Sequence, residues 1–345
     1  MSRDKLIIIG AVLLGVLGVL VYKQAKRDES VGHPSEASVD VPTLAISADI
    51  DKISITNGDK PEVVLELVAG AKGSGADAGA GGTWFLTKPL NAEANQSSVK
   101  DLVANLADLK LTSRINLRLD DNTRKEKQLD AAHAVHVTAW KSGSKKLDAM
   151  FGRSGAVGEL LVLADKPNDV FAAKGYSSYL YTKDAKDFRN KEILHFDDGS
   201  AFHITVTNSH GTFAFNKGGD GKWVGMLGTK PIERFDQEKV KDLLRAYKTL
   251  SAEDFGDGKT PGETGLDKPE AEVTFQLNGD PSVAILDVGR VSTGTNRWAR
   301  RPGSPNIYQI TSYAAEWLTF DSSKYQSPAD AGAGDSGSKP PPKKK

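Results

Sequence analysis

The tetrapeptide Val99-Lys100-Asp101-Leu102 recurs without change as Val240-Lys241-Asp242-Leu243. One shared tetrapeptide is weak evidence, but it belongs to a series of short matches that keep the same order in both halves of the chain. Ordered self-similarity is the sequence signature of a repeated architecture, so the chain predicts two copies of one module. The other matches pair Ile53–Asn57 with Ile204–Asn208, Gly82–Trp84 with Gly221–Trp223, Thr87–Leu90 with Thr229–Ile232, Leu129-Asp130 with Leu266-Asp267, Gly152-Arg153 with Gly289-Arg290, and Val170-Phe171 with Ile307-Tyr308.

Each copy shows the same succession of predicted elements. Alternating residues predict a first strand at Lys52–Asn57 and at Phe202–Asn208, and a short Trp-bearing strand follows. A helix comes next, capped by Asn95 in the first copy and by Asp236 in the second. Shorter strands and a short helical piece close each copy. The pattern predicts an α+β fold of two tandem similar modules with mainly antiparallel sheets and one packed helix each, preceded by a single N-terminal transmembrane helix.

Both predicted helices carry one apolar stripe at helical spacing, which should pack on a sheet. Trp84 and Trp223 occupy matching positions, so both are expected to fill the repeated cores. The stripe residues are Val99, Leu102, Val103, Leu106 and Leu109 in the first copy, and Val240, Leu243, Leu244, Tyr247 and Leu250 in the second.

The N-terminal apolar run predicts a membrane anchor. It extends from Leu6 to Tyr22 without a charged residue, and as a helix it would rise about 25 Å, the lower bound for crossing a bilayer. A cleaved signal peptide is the alternative, but cleavage after Ala25 would put Lys23 at the −3 position, where a small residue is needed. Basic residues flank both ends of the run, so they do not fix the orientation. We expect a single-pass protein of the inner (cytoplasmic) membrane with its large C-terminal part outside the cytoplasm.

Composition excludes several classes of protein. The 345 residues contain 45 Lys+Arg, 45 Asp+Glu and no cysteine, which excludes a disulfide scaffold, thiol catalysis and cysteine-based metal sites. Both ends are basic and the middle is mildly acidic, which argues against binding to nucleic acid. The predicted organisation is an anchor at 1–27, a linker at 28–44, the first repeat at 45–195, the second repeat at 196–326 and a disordered Pro/Lys tail at 327–345.

No pattern in the chain predicts a catalytic, cofactor-binding or metal site. Gly334–Ser338 imitates a serine-protease motif but lies in the tail, and Gly73–Ala78 is a weak imitation of a dinucleotide loop in a Gly/Ala-rich insertion. His133 and His136 stand three residues apart on a predicted strand, on opposite faces, and cannot share a metal ion.

The strongest polar candidates are arginines. Arg153 and Arg290 both follow a glycine at the end of a predicted strand, and a cluster at Arg297, Trp298 and Arg300 accompanies the second of them. One interpretation is an ion pair or a clamp on a backbone carbonyl at that turn. The alternative is recognition of a carboxylate or phosphate, which would belong to the second copy alone.

The order of motifs resembles the bacterial domain-of-unknown-function family 4340. The resemblance extends over about 45–325 and brings no catalytic residues. Members resemble envelope proteins often found beside ABC-type export systems related to gliding motility, which implies an accessory role near such a transporter. Its carriers are the N-terminal anchor, the strand before Asn57, Trp84 with Lys88-Pro89, Val99–Leu102, Phe188–Leu194 and Gly265–Pro269.

Three functions remain open from the sequence. The first is a membrane-anchored, non-catalytic envelope protein, without a cofactor, that contacts the bilayer through 6–22 and binds membrane or envelope proteins such as ABC-type transporter components. The second is a binding protein or enzyme for envelope glycans or anionic ligands that uses the second repeat. The third is a structural spacer.

Overall fold

The computed structural model of the protein describes residues 41–71, 81–154 and 158–328. The predicted anchor at Leu6–Tyr22, the dinucleotide-like Gly73–Ala78 and the protease-like Gly334–Ser338 lie outside these residues. Of the helices within them, none has the length and apolarity that a membrane span requires.

The first nine strands form one antiparallel sheet in the order β4-β3-β2-β1-β6-β7-β8-β9-β5. The sheet contains only strands of the predicted first repeat. The strands are β1 (Lys52–Asn57), β2 (Val63–Val68), β3 (Thr83–Lys88), β4 (Ala92–Glu93), β5 (Lys110–Ile115), β6 (Val135–Lys141), β7 (Ser144–Phe151), β8 (Glu159–Leu163) and β9 (Val170–Lys174).

The next nine strands form a second antiparallel sheet in the order β13-β12-β11-β10-β15-β16-β17-β18-β14. Adding nine to each strand number of the first sheet reproduces this order, so the two sheets share one topology. The strands are β10 (Ala201–Asn208), β11 (Gly211–Lys217), β12 (Trp223–Leu227), β13 (Lys230–Pro231), β14 (Asp254–Phe255), β15 (Ala271–Leu277), β16 (Asp280–Val291), β17 (Arg297–Arg300) and β18 (Tyr308–Ile310).

Few helices accompany the strands, which makes the architecture α+β or mostly β, with two similar modules as the sequence predicts. The described helices are α1 (Gln96–Ala107), α2 (Asp121–Glu126), α3 (Ser178–Tyr181), α4 (Gln237–Tyr247), α5 (Pro261–Thr264) and α6 (Ser312–Thr319), with 3-10 turns at Ala185–Phe188, Asp198–Ser200 and Ser322–Tyr325.

Both predicted helix caps are confirmed. The Asn95 side chain accepts a hydrogen bond from the Ser98 backbone N–H at 2.8 Å, and the Asp236 side chain accepts one from the Glu238 backbone N–H at 3.0 Å. These oxygens satisfy N–H groups that have no partner inside the helix. The apolar stripes of α1 and α4 are buried along their whole length, as their spacing predicts.

The second module has one continuous core beneath its sheet. The α4 stripe and the inner face of α6 pack with the inward side chains of β10, β11 and β15. Trp223 belongs to this core, as predicted, whereas Trp84 of the first copy is only half-buried.

Two further features of the fold differ from the sequence prediction. A strand follows each main helix and forms the far edge of its sheet, β5 in the first module and β14 in the second. His133 is not on a strand: β6 begins at Val135, and His133 lies in the turn before it.

Candidate functional site

The recurring Gly-Arg pair marks a place where a loop presses on the sheet. In the first module Gly152 lies under the segment Lys127–Leu129, and a Cβ atom there would stand 2.5 Å from the Lys127 carbonyl oxygen. In the second module Gly289 lies under Thr264–Leu266, and a Cβ atom would be closer still to the Thr264 carbonyl oxygen. Such contact excludes any side chain larger than hydrogen. We call Lys127–Leu129 and Thr264–Leu266 the covering segments.

The two arginines after these glycines are exposed. The Arg153 backbone N–H donates a hydrogen bond of 2.8 Å to the Lys127 carbonyl, so its main chain, not its guanidinium group, holds the covering segment. Arg290 runs alongside Gly265, and its backbone nitrogen and Nε both stand 3.1 Å from where a Gly265 Cβ would lie. The glycine therefore accounts for the recurrence of the pair.

The Arg297–Arg300 cluster forms ion pairs inside the second module. The Arg297 guanidinium binds the Glu270 carboxylate and donates to the Gly289 carbonyl at 3.1 Å. The Arg300 guanidinium donates to the Leu266 carbonyl of the covering segment at 3.0 Å and stands 3.7 Å from an Asp287 carboxylate oxygen. We call Glu270, Asp287, Arg297 and Arg300 the ion-pair cluster. Both cations already have a carboxylate and a carbonyl as partners.

Asp287 is the buried member of this cluster, with 6% of its surface exposed. Burial raises its pKa, and the neighbouring Arg300 guanidinium only partly offsets that effect. The Arg300 Nε is also buried and has no hydrogen-bond partner among the described residues. Trp298 is half-buried on the neighbouring strand position, where its ring lies against Gly256.

The same place in the first module is apolar. Asp287 stands two residues before Gly289 and pairs with Arg300 across β16 and β17. The matching residue of the first module is Met150, two residues before Gly152, and it pairs with Val162 across β7 and β8. Val162 packs with Leu129 of the covering segment in a small apolar cluster. The ion-pair cluster therefore belongs to the second copy and has no counterpart at the matching place in the first.

The histidines of the first module bind separate carboxylates. His133 Nδ1 stands 2.9 Å from the Asp130 carboxylate, and His136 Nε2 stands 2.7 Å from the Asp148 carboxylate. The Asp148 carboxylate also accepts a hydrogen bond of 2.6 Å from Lys145 Nζ. Burial raises the pKa of Asp148, but these two hydrogen bonds outweigh it and leave the pKa below its usual value. Among residues 41–71, 81–154 and 158–328, no three His, Asp or Glu side chains form a group able to hold a metal ion.

A cleft opens beside Asp148. Its volume is about 370 Å³, and its polar lining comes from Lys145, Lys146, Asp148 and Asp165. The charges of the lining cancel, and the Lys145 and Asp148 side chains are already bonded to each other. The cleft therefore favours no ligand charge.

The last residues of the first repeat form backbone hydrogen bonds with the residues just before α1. The Asn95 backbone N–H donates to the Phe188 carbonyl at 2.7 Å, and the Asn190 backbone N–H donates to the Glu93 carbonyl at 2.8 Å. These four residues belong to one compact unit, Val63–Lys100 with Lys183–Lys345.

The chain then pairs with the strand-like segment after α4. The Ile193 backbone N–H donates to the Leu250 carbonyl at 2.8 Å, and the Ala252 backbone N–H donates to the Lys191 carbonyl at 2.7 Å. Ile193 is 1% exposed, so this pairing also buries an apolar anchor.

We call Phe188–Ile193, with the residues before α1 and after α4 that it contacts, the junction. Arg189 is the buried cation of this junction. It is 3% exposed, its guanidinium carbon lies 3.5 Å from the centre of the Phe255 ring, and it donates to Asp257 at 2.6 Å. Stacking on an aromatic face with a carboxylate at the edge suits a planar guanidinium. Its place in the Phe188–Leu194 motif is therefore explained by packing.

The second repeat closes in the same way. The Asp236 backbone N–H donates to the Tyr325 carbonyl at 3.0 Å, and the Ser327 backbone N–H donates to the Arg234 carbonyl at 2.9 Å. Tyr325 stands 137 positions after Phe188, the spacing shared by the last matches in the sequence. The sequence reading missed this pair, although the spacing alone identifies it.

The sequence prediction also missed a glutamine at the start of each main helix. Gln96 accepts a hydrogen bond of 2.9 Å from the Trp84 backbone N–H and donates to the Trp84 carbonyl at 3.0 Å. Gln237 accepts one of 3.4 Å from the Trp223 backbone N–H. Both glutamines directly follow the capping residue at one common spacing of 141, which is the signal that identifies them.

The family model of the domain of unknown function DUF4340 matches residues 84–269, more than half of the chain. No curated protein and no solved structure matches the chain. The match includes the Trp84 strand, both main helices, the junction and the covering segment of the second module. The chain therefore belongs to the DUF4340 family of domains of unknown function.

Proposed function

We propose that the protein is a membrane-anchored, extracytoplasmic and non-catalytic accessory protein that binds partner proteins, among them components of an ABC-type transport or gliding-motility system. The observation that carries this proposal is the role of the residues that the two repeats share. Gly152 and Gly289 admit the covering segments, and Gln96 and Gln237 bind the tryptophan strands. Each shared feature builds the module, so duplication supplied a second scaffold and left the surfaces to differ.

The arginines support this proposal over recognition of an anionic ligand. Arg297 and Arg300 would have to exchange Glu270 and Asp287 for the ligand, and that exchange would leave the buried Asp287 without its cation. An uncompensated buried charge is costly.

Recovery of partners from membranes tests the proposal. The full chain is cross-linked in cells, extracted with detergent and purified beside a control in which its first 44 residues precede an unrelated soluble domain. We expect membrane or envelope proteins, including a transporter permease or ATPase, to be recovered with the full chain and not with the control. Recovery of the same proteins with both chains would contradict the proposal.

The absence of cysteine makes the proposed orientation directly measurable. A single cysteine at the exposed Lys222 should react with a membrane-impermeant maleimide in cells whose outer barrier is permeabilised, whereas one at Ser2 should react only after lysis. The opposite pattern would place the body in the cytoplasm.

The anionic-ligand alternative has its own test. The triple change of Arg290, Arg297 and Arg300 to alanine should leave binding of anionic glycan oligomers no weaker than in the wild type if the partner-binding proposal holds. Loss of measurable glycan binding in the triple variant, with its fold intact, would favour the alternative.

A further inference from the structure

Strand β5 is the outermost strand at one edge of the first sheet. Five of its six residues pair with β9 on one side, with a bulge at Thr112, and no other described strand lies beside it. An edge of this length offers a row of backbone N–H and C=O groups to a further strand.

Just before the equivalent edge strand β14, the second module already pairs with a short segment of chain. The pairings of β5 with β9 and of β14 with β18 align at a spacing of 141, which relates Leu109–Leu111 to Leu250–Ala252. There Lys191–Ile193, which enters from outside the sheet, pairs through backbone hydrogen bonds and an antiparallel bridge between Glu192 and Ser251. The same fold therefore accepts strand addition at this place.

No described residue takes this role in the first module. Of the described residues before β1, Asp51 donates its backbone N–H to Trp140, and none forms a backbone hydrogen bond with Leu109–Leu111. Among the described residues, therefore, none pairs with the outer side of Leu109–Leu111, whereas Lys191–Ile193 pairs with the matching Leu250–Ala252.

The charge on this edge selects the chemistry of an added strand. Lys110, Arg114 and Arg118 are all exposed and recur every fourth residue, and no acidic residue lies between Leu109 and Leu119. The exposed Arg114 guanidinium binds the half-buried Asp169 carboxylate, a surface pairing of small energy. A second copy of β5 would set like charges against one another, whereas an acidic strand would set opposite charges across the pair.

We propose that β5 is the docking edge for a partner protein, which contributes an extended acidic segment as a tenth strand beside Lys110–Ile115. This inference rests on the proposed function and assigns the chemistry of its partner. Backbone pairing supplies the general affinity, and carboxylates at alternate positions of the added strand supply the choice of partner.

A synthetic peptide of alternating Glu and Val, about as long as β5, tests the chemistry. The detergent-solubilised full chain should bind it, and binding should slow amide hydrogen exchange at Lys110–Ile115. The double change Lys110→Glu and Arg118→Glu, which leaves the Arg114–Asp169 pair intact, should weaken binding by about tenfold. The control pair Lys222→Glu and Lys230→Glu makes the same change in net charge on exposed residues elsewhere and should leave binding unchanged.

Three results would overturn the inference. The first is equal weakening by both double variants, which would mean non-specific charge attraction. The second is peptide binding that leaves exchange at Lys110–Ile115 unchanged. The third is exchange there as slow without peptide as in the central strand β6, which would mean that the chain's own residues already occupy the edge.

A cross-linking experiment separates this inference from the proposed function. A photoreactive group attached to a single cysteine at Lys110 should capture an acidic segment of the co-purified partner, and one at Lys222 should not. If a partner co-purifies but never cross-links to position 110, the inference about β5 fails and the proposed function stands. If no partner co-purifies with any variant, the proposed function itself fails.

Discussion

Replacing Gly289 by alanine should destabilise the second module, although a change from glycine to alanine often stabilises a protein. The new Cβ would overlap the Thr264 carbonyl oxygen and lie 3.2 Å from Cγ of Leu266. The carbonyl belongs to the backbone, so the covering segment itself has to move. Forcing a methyl group into a packed site costs about 1–3 kcal/mol.

The displacement also reaches the ion-pair cluster. Arg300 donates to the Leu266 carbonyl at 3.0 Å, and a lifted covering segment lengthens that bond. A hydrogen bond from a charged donor contributes about 1.5–3 kcal/mol, of which a partial displacement removes a fraction. We therefore expect the free energy of unfolding to fall by about 2–4 kcal/mol, which lowers Tm by on the order of 10 °C.

Calorimetry and chemical denaturation of matched variants test this reasoning. Gly152→Ala should reproduce the loss in the first module, where the Lys127 carbonyl takes the same position. Gly262→Ala is the control, because it lies in α5 with open space around it and should be neutral or stabilising by about 0.4–1 kcal/mol. A Gly289→Ala protein as stable as the wild type would show that the covering segment does not press on the strand.

Three further predictions concern single side chains. Gln96→Ala should lower the free energy of unfolding by about 1–3 kcal/mol, and Gln237→Ala should lower it by less. The reason is that Gln96 makes three hydrogen bonds, whereas Gln237 makes one long bond. Equal losses of stability in denaturant titrations of the two variants would contradict this prediction. Arg189→Ala should cost about 2–3 kcal/mol and Arg189→Met roughly half of that, since methionine keeps most of the buried packing; the idea is wrong if the methionine variant is the less stable. The change in stability on replacing Asp by Asn should depend on pH in opposite directions at Asp148 and at Asp287. The lowered pKa of Asp148 gives stability that is lost as pH falls below about 4, whereas the raised pKa of Asp287 gives stability that is lost as pH rises through that pKa. Slopes of the same sign in acid titrations of both variants would refute the assignment.

The repeated topology was predictable because the short sequence matches follow one another in the same order in both halves of the chain. That shared order is informative even though each single match is weak. The seven short matches align strands that occupy the same places in two sheets of identical strand order. The strand after each main helix was not predicted. In the first copy its alternation was visible from Leu109 to Leu119, but Leu109 also completes the helical stripe, so the period of the helix masked the period of the strand. In the second copy the strand has only two residues and leaves no pattern.

The candidate site shows a different limit. The sequence marks Gly-Arg as a recurring pair, and chemistry directs attention to the arginine. The glycine is the residue that the fold requires, because a carbonyl from a distant covering segment lies against it. Close approach of two backbone segments leaves no mark on local composition. The partners of Arg297 and Arg300 were hidden for the same reason. Asp287 reaches Arg300 from the neighbouring strand β16, and Glu270 reaches Arg297 from the residue just before β15.

The closure of the second repeat at Tyr325 has a mechanical consequence. Any tension on the tail beyond Pro328 passes first through the hydrogen bond between Ser327 and Arg234, and then through the one between Tyr325 and Asp236. Beyond these bonds stands the Tyr325 ring, which is fully buried and lies 4.7 Å from the Phe215 ring centre. A pull on the tail therefore loads these two backbone hydrogen bonds and then the buried Tyr325 ring, so this ring anchors the last described residues to the core of the second module.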